Sequence, residues 1–488
     1  MKGSAQYPNI VLITADQWRG DCLGCAGSRH PVMTPHVDQL AAEGVRFTHA
    51  YADCPVCMPQ RVTTLTGQVA SRFGMPHNFA PATRSPIDGD RCLPARLARQ
   101  CGYQTEAIGK MHVHPERSRV GFDHVRLHPD DYVMWLEEHG YGGLYRGHGL
   151  GGNEIYPVFS AVPEPYTHTH WIVDEATTFL RQRDPDCPFF LWTVFEAPHS
   201  PFDPPEEYVR LYERFPIPDP VFGDWTGDRM PPMLQNRVLK GKFDKLSTEV
   251  LREARRHYYA QITHIDYQLG RLLGQLKTLG LYDNTVIVFT SDHGEHLGDH
   301  GLFGKQTFVS GSADVPLIVR LPESLRSGNM PEACHAPVLT ADICPTLLAA
   351  AGLDAFEGTD GLSLLPLVQG GDNGRSVVCG EGRDSAFCTD GRWSYLYYPH
   401  GGVEQLFDNA GDPENLCDLS VASDAADVKQ ALQQALVQHL DAFERPMVKD
   451  GRLAEFEAKV EPVQARRANP CAWRGPMRYG QGYNSRLP

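Results

Sequence analysis

The stretch that decides how this chain is interpreted is Cys57-Met58-Pro59-Gln60-Arg61, followed after four residues by Thr66-Gly67. A lone cysteine is most often a small buried hydrophobe. Cys54 and Cys57 also have the Cys-x2-Cys spacing of a zinc or redox pair, which Cys22 and Cys25 repeat. Two such pairs are enough for a four-thiolate zinc site. The Pro-x-Arg-x4-Thr-Gly continuation has no role in such a site, so residues elsewhere must decide between these interpretations.

Length and composition predict a large globular protein of two unequal domains. The 488 residues exceed the size at which one hydrophobic core stops growing. The hydrophobic content is 41% and the mean hydropathy −0.36, and no apolar run approaches the length that crosses a bilayer. A net charge of −15 argues against nucleic acid as a partner, although a local cationic pocket can still bind a small anion.

The N-terminus and the cysteines predict a cytoplasmic protein. Residues 1–8 lead directly into the apolar run Asn9–Ile13 without the apolar region and cleavage site of a secretory signal. The 13 cysteines are scattered and odd in number, which fits reduced thiols better than a disulfide framework. We therefore expect a cytoplasmic protein that does not interact with a membrane.

Apolar β-branched runs alternate with helical patterns along the first 368 residues. Predicted strands lie at Asn9–Ile13, Gln104–Ile108, Phe189–Val194, Thr285–Thr290 and Val315–Arg320. Predicted helices span Pro35–Gly44 and about Ser247–Leu279, the second with an apolar stripe at steps of three and four residues. This alternation predicts an α/β fold with a mostly parallel sheet covered by helices on both faces. Pro198–Arg237 is rich in proline and reads as a long functional loop.

The pattern changes after Val368. The polar, glycine-rich segment Gln369–Gly374 reads as a linker, and Phe387–Leu396 reads as a hairpin with Asp-Gly at its turn. We predict a catalytic domain at 1–368, a small antiparallel β domain with a packing helix at 376–445, and a tail at 446–488.

Two acidic pairs stand at predicted strand ends, where ligands bind in open α/β sheets. Asp16-Gln17 follows the first strand, and Asp292-His293 follows the strand Thr285–Thr290. An aspartate after a strand often only caps a turn. Two matched strand ends favour a shared metal site instead.

The opening stretch resembles the Cys-x-Pro-x-Arg-x4-Thr-Gly signature of type I sulfatases in the alkaline phosphatase superfamily. The resemblance extends from Asn9 to Leu416 and lies near the choline sulfatase and phosphonate monoester hydrolase branches. It implies an alkaline-phosphatase-like α/β fold with a small C-terminal antiparallel sheet. It also implies that a formylglycine-generating enzyme converts Cys57 to an aldehyde, whose hydrate attacks sulfur and later expels sulfate.

The resemblance implies one divalent metal, calcium or manganese. The implied ligands are Asp16, Gln17, Cys57 as formylglycine, Asp292 and His293. A histidine nitrogen is less typical of calcium than of manganese or zinc.

The family pattern also assigns roles to charged residues around the nucleophile. Arg61 holds the diol, Lys110 binds a sulfate oxygen, and His112 takes the proton that allows sulfate to leave. His199 and Lys305 stabilise or protonate the leaving oxygen.

Two further positions bear on the resemblance. Asn78 is a weaker candidate for an oxygen contact with the substrate. Gln60 departs from the family, which more often has Ser or Ala there, whereas Cys57, Pro59 and Arg61 are intact.

The predicted activity is hydrolysis of a small anionic sulfate monoester. Hydrolysis of a phosphonate monoester or phosphodiester is the first alternative, because the same groups stabilise its transition state. A non-catalytic anion-binding protein with an unmodified Cys57 thiol is the second.

The tail predicts an interface in a homo-oligomer. From Pro462 onward it has no acidic residue, on a chain of net charge −15. Its arginines and large aromatic residues are Arg466, Arg467, Arg474, Arg478, Arg486, Trp473, Tyr479 and Tyr483. These types are enriched in interface cores, although a solvated terminus is the common alternative.

Overall fold

The computed structural model describes residues 7–78, 85–118, 120–241, 243–458 and 460. The α-helices are α1 Pro35–Glu43, α2 Cys57–Thr66, α3 Ala70–Phe73, α4 Leu93–Cys101, α5 Asp130–Glu138, α6 His168–Gln182, α7 Glu206–Arg210, α8 Pro232–Gly241, α9 Thr248–Thr278, α10 Ser310–Ala313, α11 Ile343–Ala350, α12 Leu365–Val368 and α13 Ala426–Ala442. The strands are β1 Asn9–Asp16, β2 Val45–Phe47, β3 Ala50–Tyr51, β4 Gln104–Gly109, β5 His124–Leu127, β6 Phe189–Pro198, β7 Thr285–Ser291, β8 Leu317–Arg320, β9 Ala333–Cys334, β10 Val338–Leu339, β11 Val378–Glu381, β12 Ala386–Thr389, β13 Trp393–Tyr398, β14 Val403–Asp408, β15 Val448–Lys449 and β16 Arg452–Leu453.

An eight-stranded sheet forms the centre of the large domain. Its strand order is β5-β4-β6-β1-β7-β8-β2-β9. The five strands from β5 to β7 are all parallel, and β8 is antiparallel to both of its neighbours. The predicted α/β fold with a mostly parallel sheet is therefore confirmed.

Helices cover both faces of this sheet because successive side chains of a strand point to opposite sides. Val11 and Ile13 of β1 pack into one core with residues of α6 and α9. Ile10 and Leu12 pack into a second core with residues of α2, α4 and α11. Every residue of β1 is buried, as expected of a central parallel strand.

The small domain is built on the antiparallel sheet β11-β12-β13-β14. The predicted Asp390-Gly391 turn joins β12 to β13, with Gly391 at φ 94°. Helix α13 and the hairpin β15-β16 pack against one face of the sheet through residues that include Leu436 and Met447. The other face shares a core with the large domain, including Trp225 and Phe407.

Several predicted boundaries shift in the structure. Helix α1 ends at Glu43, and the backbone N–H of Gly44 caps it. The last predicted strand of the large sheet begins at Leu317 and is antiparallel to β7, rather than beginning at Val315. The proline-rich segment 198–237 contains α7 and the first residues of α8.

The predicted C-terminal tail is described only in part. Residues 446–458 include β15 and β16, whereas all the arginines and aromatic residues on which the interface prediction rests lie outside the described residues. That prediction and the domain boundaries therefore stay predictions. Among the described helices, none has the length and apolar character needed to cross a membrane.

Candidate active site

Four predicted site residues follow four neighbouring parallel strands. Asp16 ends β1, Asp292 follows β7, Lys110 follows β4, and His199 follows β6. These strands lie side by side in the order β4-β6-β1-β7. Their carboxyl ends therefore meet at one edge of the sheet, which is where open α/β sheets bind ligands.

The opening stretch of the sequence forms helix α2 above this edge. Cys57 is the first helical residue and Pro59 lies in the first turn, where the missing backbone N–H of proline is not needed. Gly67 ends the helix at φ 70°, a conformation that favours glycine. The Cys57 side chain therefore sits at the positive end of a helix, and the residue is only 2% exposed.

Four potential ligand groups converge, and Cys57 supplies one of them. The carboxylates of Asp16 and Asp292, the Cys57 sulfur and a ring nitrogen of His293 all lie within 4.8 Å of one another. His293 Nε2 is 3.6 Å from an oxygen of each aspartate and 3.1 Å from Cys57 Sγ. All four residues are buried.

Hydrogen bonds orient two of the predicted metal ligands. His293 Nδ1 is 3.0 Å from the Gly294 carbonyl oxygen and donates its proton there, so Nε2 is the ring atom that faces the aspartates. Asp292 and Cys57 raise the pKa of His293 despite its burial, so a metal that binds at Nε2 displaces a proton. Gln17 reaches the cluster through its backbone N–H, which donates to Asp292 Oδ1 at 3.0 Å. Its side-chain amide contacts Lys305 and Glu295 instead.

Two cations contact the Oδ2 atoms of the aspartates, opposite the Oδ1 atoms that face His293. Arg61 is fully buried, and its Nη2 is 2.9 Å from Asp292 Oδ2 and 3.4 Å from Asp16 Oδ2. Its Nε and Nη1 have no hydrogen-bond partner among the described residues. Lys110 Nζ is 2.8 Å from Asp16 Oδ2.

Lys305 and His199 form a directed pair. His199 Nδ1 is 2.8 Å from the Ser200 carbonyl and must donate its proton there, so Nε2 is an acceptor. Lys305 Nζ lies 2.6 Å from that Nε2 and 2.7 Å from Gln17 Oε1. Burial, Lys305 and Lys110 lower the pKa of His199 to about 4, which makes the ring neutral at pH 7.

The remaining predicted residues lie at the edge of this cluster. His112 contacts the Cys57 side chain and has a buried Nδ1 without a partner among the described residues. Asn78 is exposed, and its Oδ1 accepts a hydrogen bond from the Met58 backbone at 3.1 Å. Gln60 is fully buried and holds the loop before α2 through bonds that include one to Asp53 at 2.7 Å.

The local charges control ionisation. Burial alone would raise the pKa of the Cys57 thiol, but Lys305 and His293, with a hydrogen bond from His112, hold it well below its usual value.

The two aspartates have pKa values shifted in opposite directions. Burial and Cys57 oppose ionisation of Asp16, yet Lys110, His199 and Arg61 bring its pKa down to about 2. Burial raises the pKa of Asp292. Buried like charges at this spacing resist ionising together.

The four-thiolate zinc alternative is wrong. Cys57 groups with Asp16, Asp292 and His293, whereas Cys22 groups with Asp21 and His30. Cys25 is exposed, Cys54 is buried, and neither joins a potential metal group within the described part of the chain. The two Cys-x2-Cys pairs follow different strands and do not converge.

Sequence reasoning missed two buried glutamates that support the site. Glu196 Oε1 is 2.8 Å from Arg146 Nη2 and 3.7 Å from Lys110 Nζ, and these cations with His128 hold its pKa well below the usual range despite burial. Glu295 bonds the side chain of Gln17. Both glutamates lie at or just after strand ends, so the rule that located Asp16 could have found them.

Three non-glycine residues at the site have left-handed backbone conformations. Gln17, His112 and Gln306 have φ values of 75°, 52° and 77°. Such conformations cost about 1–3 kcal/mol each and are concentrated at functional sites.

Known proteins with similar sequences and structures were found over most of this chain. The sequence model of the family described as Sulfatase matches residues 8–353. An arylsulfatase of Clostridium perfringens is 34% identical, covering 90% of this chain and 95% of its own. A choline-sulfatase of Rhizobium meliloti is 30% identical, covering 94% and 90%. The phosphonate monoester hydrolase structure from Agrobacterium radiobacter superposes with a TM-score of 0.74 at 29% identity, covering 89% and 95%.

Proposed function

This chain belongs to the sulfatase family of the alkaline phosphatase superfamily and is a sulfuric ester hydrolase, and we propose that it works through a formylglycine made from Cys57 beside one divalent metal. The observation that carries the proposal is the position of Cys57. Its sulfur lies at the start of a buried helix, 3.7 Å from Asp16 Oδ1 and 3.1 Å from His293 Nε2.

The donor set fits a divalent cation. Two buried carboxylates and one imidazole nitrogen face one point, and the bond from His293 Nδ1 to the Gly294 carbonyl makes Nε2 the nitrogen that faces it. Mixed oxygen and nitrogen donors favour manganese over calcium. Asp16, Asp292, His293 and the oxygens of the modified Cys57 would hold the ion, with Gln17 as a further predicted ligand. When bound, the metal would act as a Lewis acid toward a sulfate oxygen.

Different residues of the chain then carry out the successive steps of the reaction. One hydroxyl of the hydrated Cys57 aldehyde gives its proton to the Asp292 carboxylate and attacks sulfur, and the bond between sulfur and the ester oxygen breaks. Lys110 and Arg61 stabilise negative charge on the sulfuryl oxygens and the nucleophile. His112 next takes the proton of the second hydroxyl, so that the bond to sulfate breaks and the aldehyde re-forms. Water rehydrates the aldehyde.

Lys305 supplies the proton to the leaving oxygen. The neutral His199 accepts a hydrogen bond from Lys305 Nζ and is therefore a positioning partner rather than the acid. This assignment is narrower than the expectation from sequence, in which either residue protonates the leaving group.

The maturation enzyme must act on an incompletely folded chain. Cys57 and Met58 are each 2% exposed, and Gln60 and Arg61 are fully buried within α2. An enzyme that reads Cys57, Pro59 and Arg61 needs access to that segment before the helix is enclosed. The cytoplasmic location and the homo-oligomeric state predicted from the sequence also remain proposals.

Mass spectrometry of the peptide that contains Cys57 tests the nucleophile directly. Formylglycine makes this peptide about 18 Da lighter than the cysteine form. Activity toward aryl sulfates should scale with the modified fraction across preparations made with different amounts of maturation enzyme. Full activity in a preparation with only cysteine at this position contradicts the proposal.

Hydrolysis of phosphonate monoesters or phosphodiesters is a second candidate. The similarity to a phosphonate monoester hydrolase over most of both chains and the imidazole in the donor set favour it. Comparing kcat/KM for matched nitrophenyl sulfate, phenylphosphonate and phosphodiester substrates decides between the two. A larger value for the phosphonate would make sulfate hydrolysis the secondary activity.

A further inference from the structure

Glu295 lies on the loop after β7, shortly beyond Asp292, and is fully buried. Its carboxylate accepts hydrogen bonds from three neutral N–H groups. Oε1 accepts from the backbone N–H of Leu297 at 2.9 Å and from that of Gly304 at 2.5 Å, and Oε2 accepts from the side-chain amide of Gln17. Buried carboxylates are usually paired with cations, so a carboxylate held by neutral donors calls for an explanation.

Two of these hydrogen bonds lead to Lys305. Gly304 directly precedes Lys305, and its carbonyl accepts from the backbone N–H of His296 at 2.9 Å. Both sides of Gly304 are therefore tied to the segment that carries Glu295. Gly304 has φ 76°, a left-handed conformation that favours glycine. The second connection runs through Gln17, whose Oε1 accepts from Lys305 Nζ at 2.7 Å.

The direction of donation fixes the orientation of the Gln17 amide. The Lys305 ammonium has N–H donors and no acceptor, so the Gln17 atom that faces it must be the amide oxygen. The amide nitrogen then faces Glu295 and needs an acceptor there that carries no proton. An ionised carboxylate meets this need, because both of its oxygens are acceptors. Burial raises the pKa of Glu295, whereas its two backbone N–H donors and Lys305 oppose the shift.

The backbone of Gln17 is held as well. Its N–H donates to Asp292 Oδ1 at 3.0 Å, and its carbonyl accepts from the Tyr258 hydroxyl at 2.8 Å. The residue has φ 75° and is 1% exposed. Exchange of the amide oxygen and nitrogen by a half turn is therefore the main freedom left to this side chain, and Glu295 decides it.

This orientation bears on the proposed proton transfer. The ammonium of Lys305 has three N–H bonds. One donates to His199 Nε2 at 2.6 Å and one to Gln17 Oε1, and among the described residues no other atom accepts from it. The third N–H can therefore face the leaving oxygen. A reversed Gln17 amide would turn its NH2 group toward the ammonium, and the repulsion would remove this direction.

We propose that Glu295 is a positioning residue for Lys305, which it directs through the Gln17 amide and the Gly304 backbone. The proposal rests on the proposed function, because it takes Lys305 as the group that protonates the leaving oxygen. A merely structural Glu295 would close the loop between residues 295 and 304 and would have no selective effect on leaving groups.

Glu295→Gln separates the positioning role from the structural one. The new amide oxygen can still accept both backbone N–H bonds, so the melting temperature should stay near that of wild type. The new amide nitrogen faces that of Gln17, so one of the two amides must turn. We expect kcat/KM to fall about tenfold more for phenyl sulfate, which has the poorer leaving group, than for para-nitrophenyl sulfate. The matched control is Glu106→Gln, at another buried glutamate of the large domain, and it should leave this ratio unchanged.

A second substitution should reverse the effect. In the double variant Gln17→Glu with Glu295→Gln, the carboxylate at position 17 accepts from both the new amide and Lys305. Net charge and side-chain size are kept, so the ratio for the two esters should return most of the way to the wild-type value. Gln17→Glu alone places two carboxylates against each other and should be less active than the double variant. In a Lys305→Met background, Glu295→Gln should cause no further change in the ratio.

The outcomes separate this proposal from the proposed function. A wild-type ratio in Glu295→Gln, or equal losses for both esters, overturns the positioning role and leaves sulfate hydrolysis intact. Loss of the metal from Glu295→Gln in elemental analysis also overturns it, because the effect would then come through the metal site. If Lys305→Met slows both esters equally, the role of Lys305 falls and this proposal with it, whereas the nucleophile at Cys57 is unaffected.

A further variant decides if Glu295→Gln does not fold. Gln17→Met keeps Glu295 and both of its bonds to the loop backbone, and it removes the acceptor for Lys305. A loss that is larger for phenyl sulfate than for para-nitrophenyl sulfate supports the proposal. A uniform loss overturns it.

Discussion

Two fully buried arginines show how differently this protein treats charge in two places. Arg255 uses all three guanidinium nitrogens: Nε donates to the Leu297 carbonyl at 3.0 Å, Nη1 to that of Pro218 at 3.1 Å, and Nη2 to Asp299. Arg61 uses only Nη2, which it directs to two aspartates. Its other two nitrogens lack partners among the described residues.

The residues around the two arginines differ in the same way. Asp299 also binds Arg19 at 2.9 Å and Arg29 at 2.8 Å, so the cluster of Asp299 with these three arginines is a saturated network. The cluster around Cys57 keeps buried donors with unused capacity. Buried polar groups are normally satisfied, so the first cluster serves stability and the second is arranged for groups that bind there.

Replacing Cys57 should cause the largest effect. Cys57→Ala removes the nucleophile, and we expect kcat to fall by more than about 10⁴-fold. The melting temperature should stay near that of wild type, because the side chain is small. Cys54→Ala, at a buried cysteine three residues earlier in the chain and outside α2, is the control. Residual turnover within tenfold of wild type would remove Cys57 from the mechanism.

Loss of one aspartate of the same cluster should abolish metal binding. Elemental analysis of wild type should find about one divalent ion per chain, and Asp292→Asn should lose it together with about 10³-fold of kcat/KM. Chelator treatment of wild type should reproduce the kinetic loss. Asp299→Asn is the matched control and should retain the ion. A metal-free preparation with full activity would contradict this prediction.

A substitution in the Asp299 network should lower the stability of the fold rather than metal binding. Asp299→Ala leaves three arginines without their common partner, and the free energy of unfolding should fall by about 3–5 kcal/mol. Denaturant titration measures the change. The loss of stability in Asp292→Asn should be clearly smaller, because that substitution relieves repulsion between two carboxylates. Equal losses in both variants would erase the distinction between the clusters.

The Asp299 network also predicts that the free energy of unfolding decreases at acidic pH. Burial opposes ionisation, but Arg19, Arg255 and Arg29 hold the pKa of Asp299 below its usual value. This contribution is present above the unfolded-state pKa of about 3.9 and is lost as pH falls below it. Asp299→Asn should therefore flatten the stability profile below about pH 4. An unchanged slope there would assign acid unfolding to other carboxylates.

Lys305 should show the smallest effect, and only in a leaving-group series. Lys305→Met should slow poor leaving groups such as alkoxides about 10²-fold more than nitrophenolate. His199→Gln, which keeps a hydrogen-bond acceptor, should retain more of this discrimination. Equal losses for all leaving groups would reassign Lys305 to substrate binding.

Sequence patterns located most of the site because strand ends and helix starts are local features. Asp16, Lys110, His199 and Asp292 were each placed by an apolar strand that precedes them, and Pro59 and Gly67 mark the ends of α2. Nothing local shows that Glu196 lies beside Lys110 or that Gln17 turns its amide toward Lys305. Those contacts depend on which strands become neighbours.

By itself the sequence determined the α/β class and the small antiparallel sheet, because hydrophobic periodicity acts within one element, and its resemblance to the sulfatases supplied the predicted site residues. Only the tertiary structure decided the order β4-β6-β1-β7, the neutral tautomer of His199 and the cavity between α8 and the small domain. Arg237 and Arg383, which both line this cavity, are separated by nearly 150 residues along the chain. Long-range packing brings such groups together, and no local pattern encodes it.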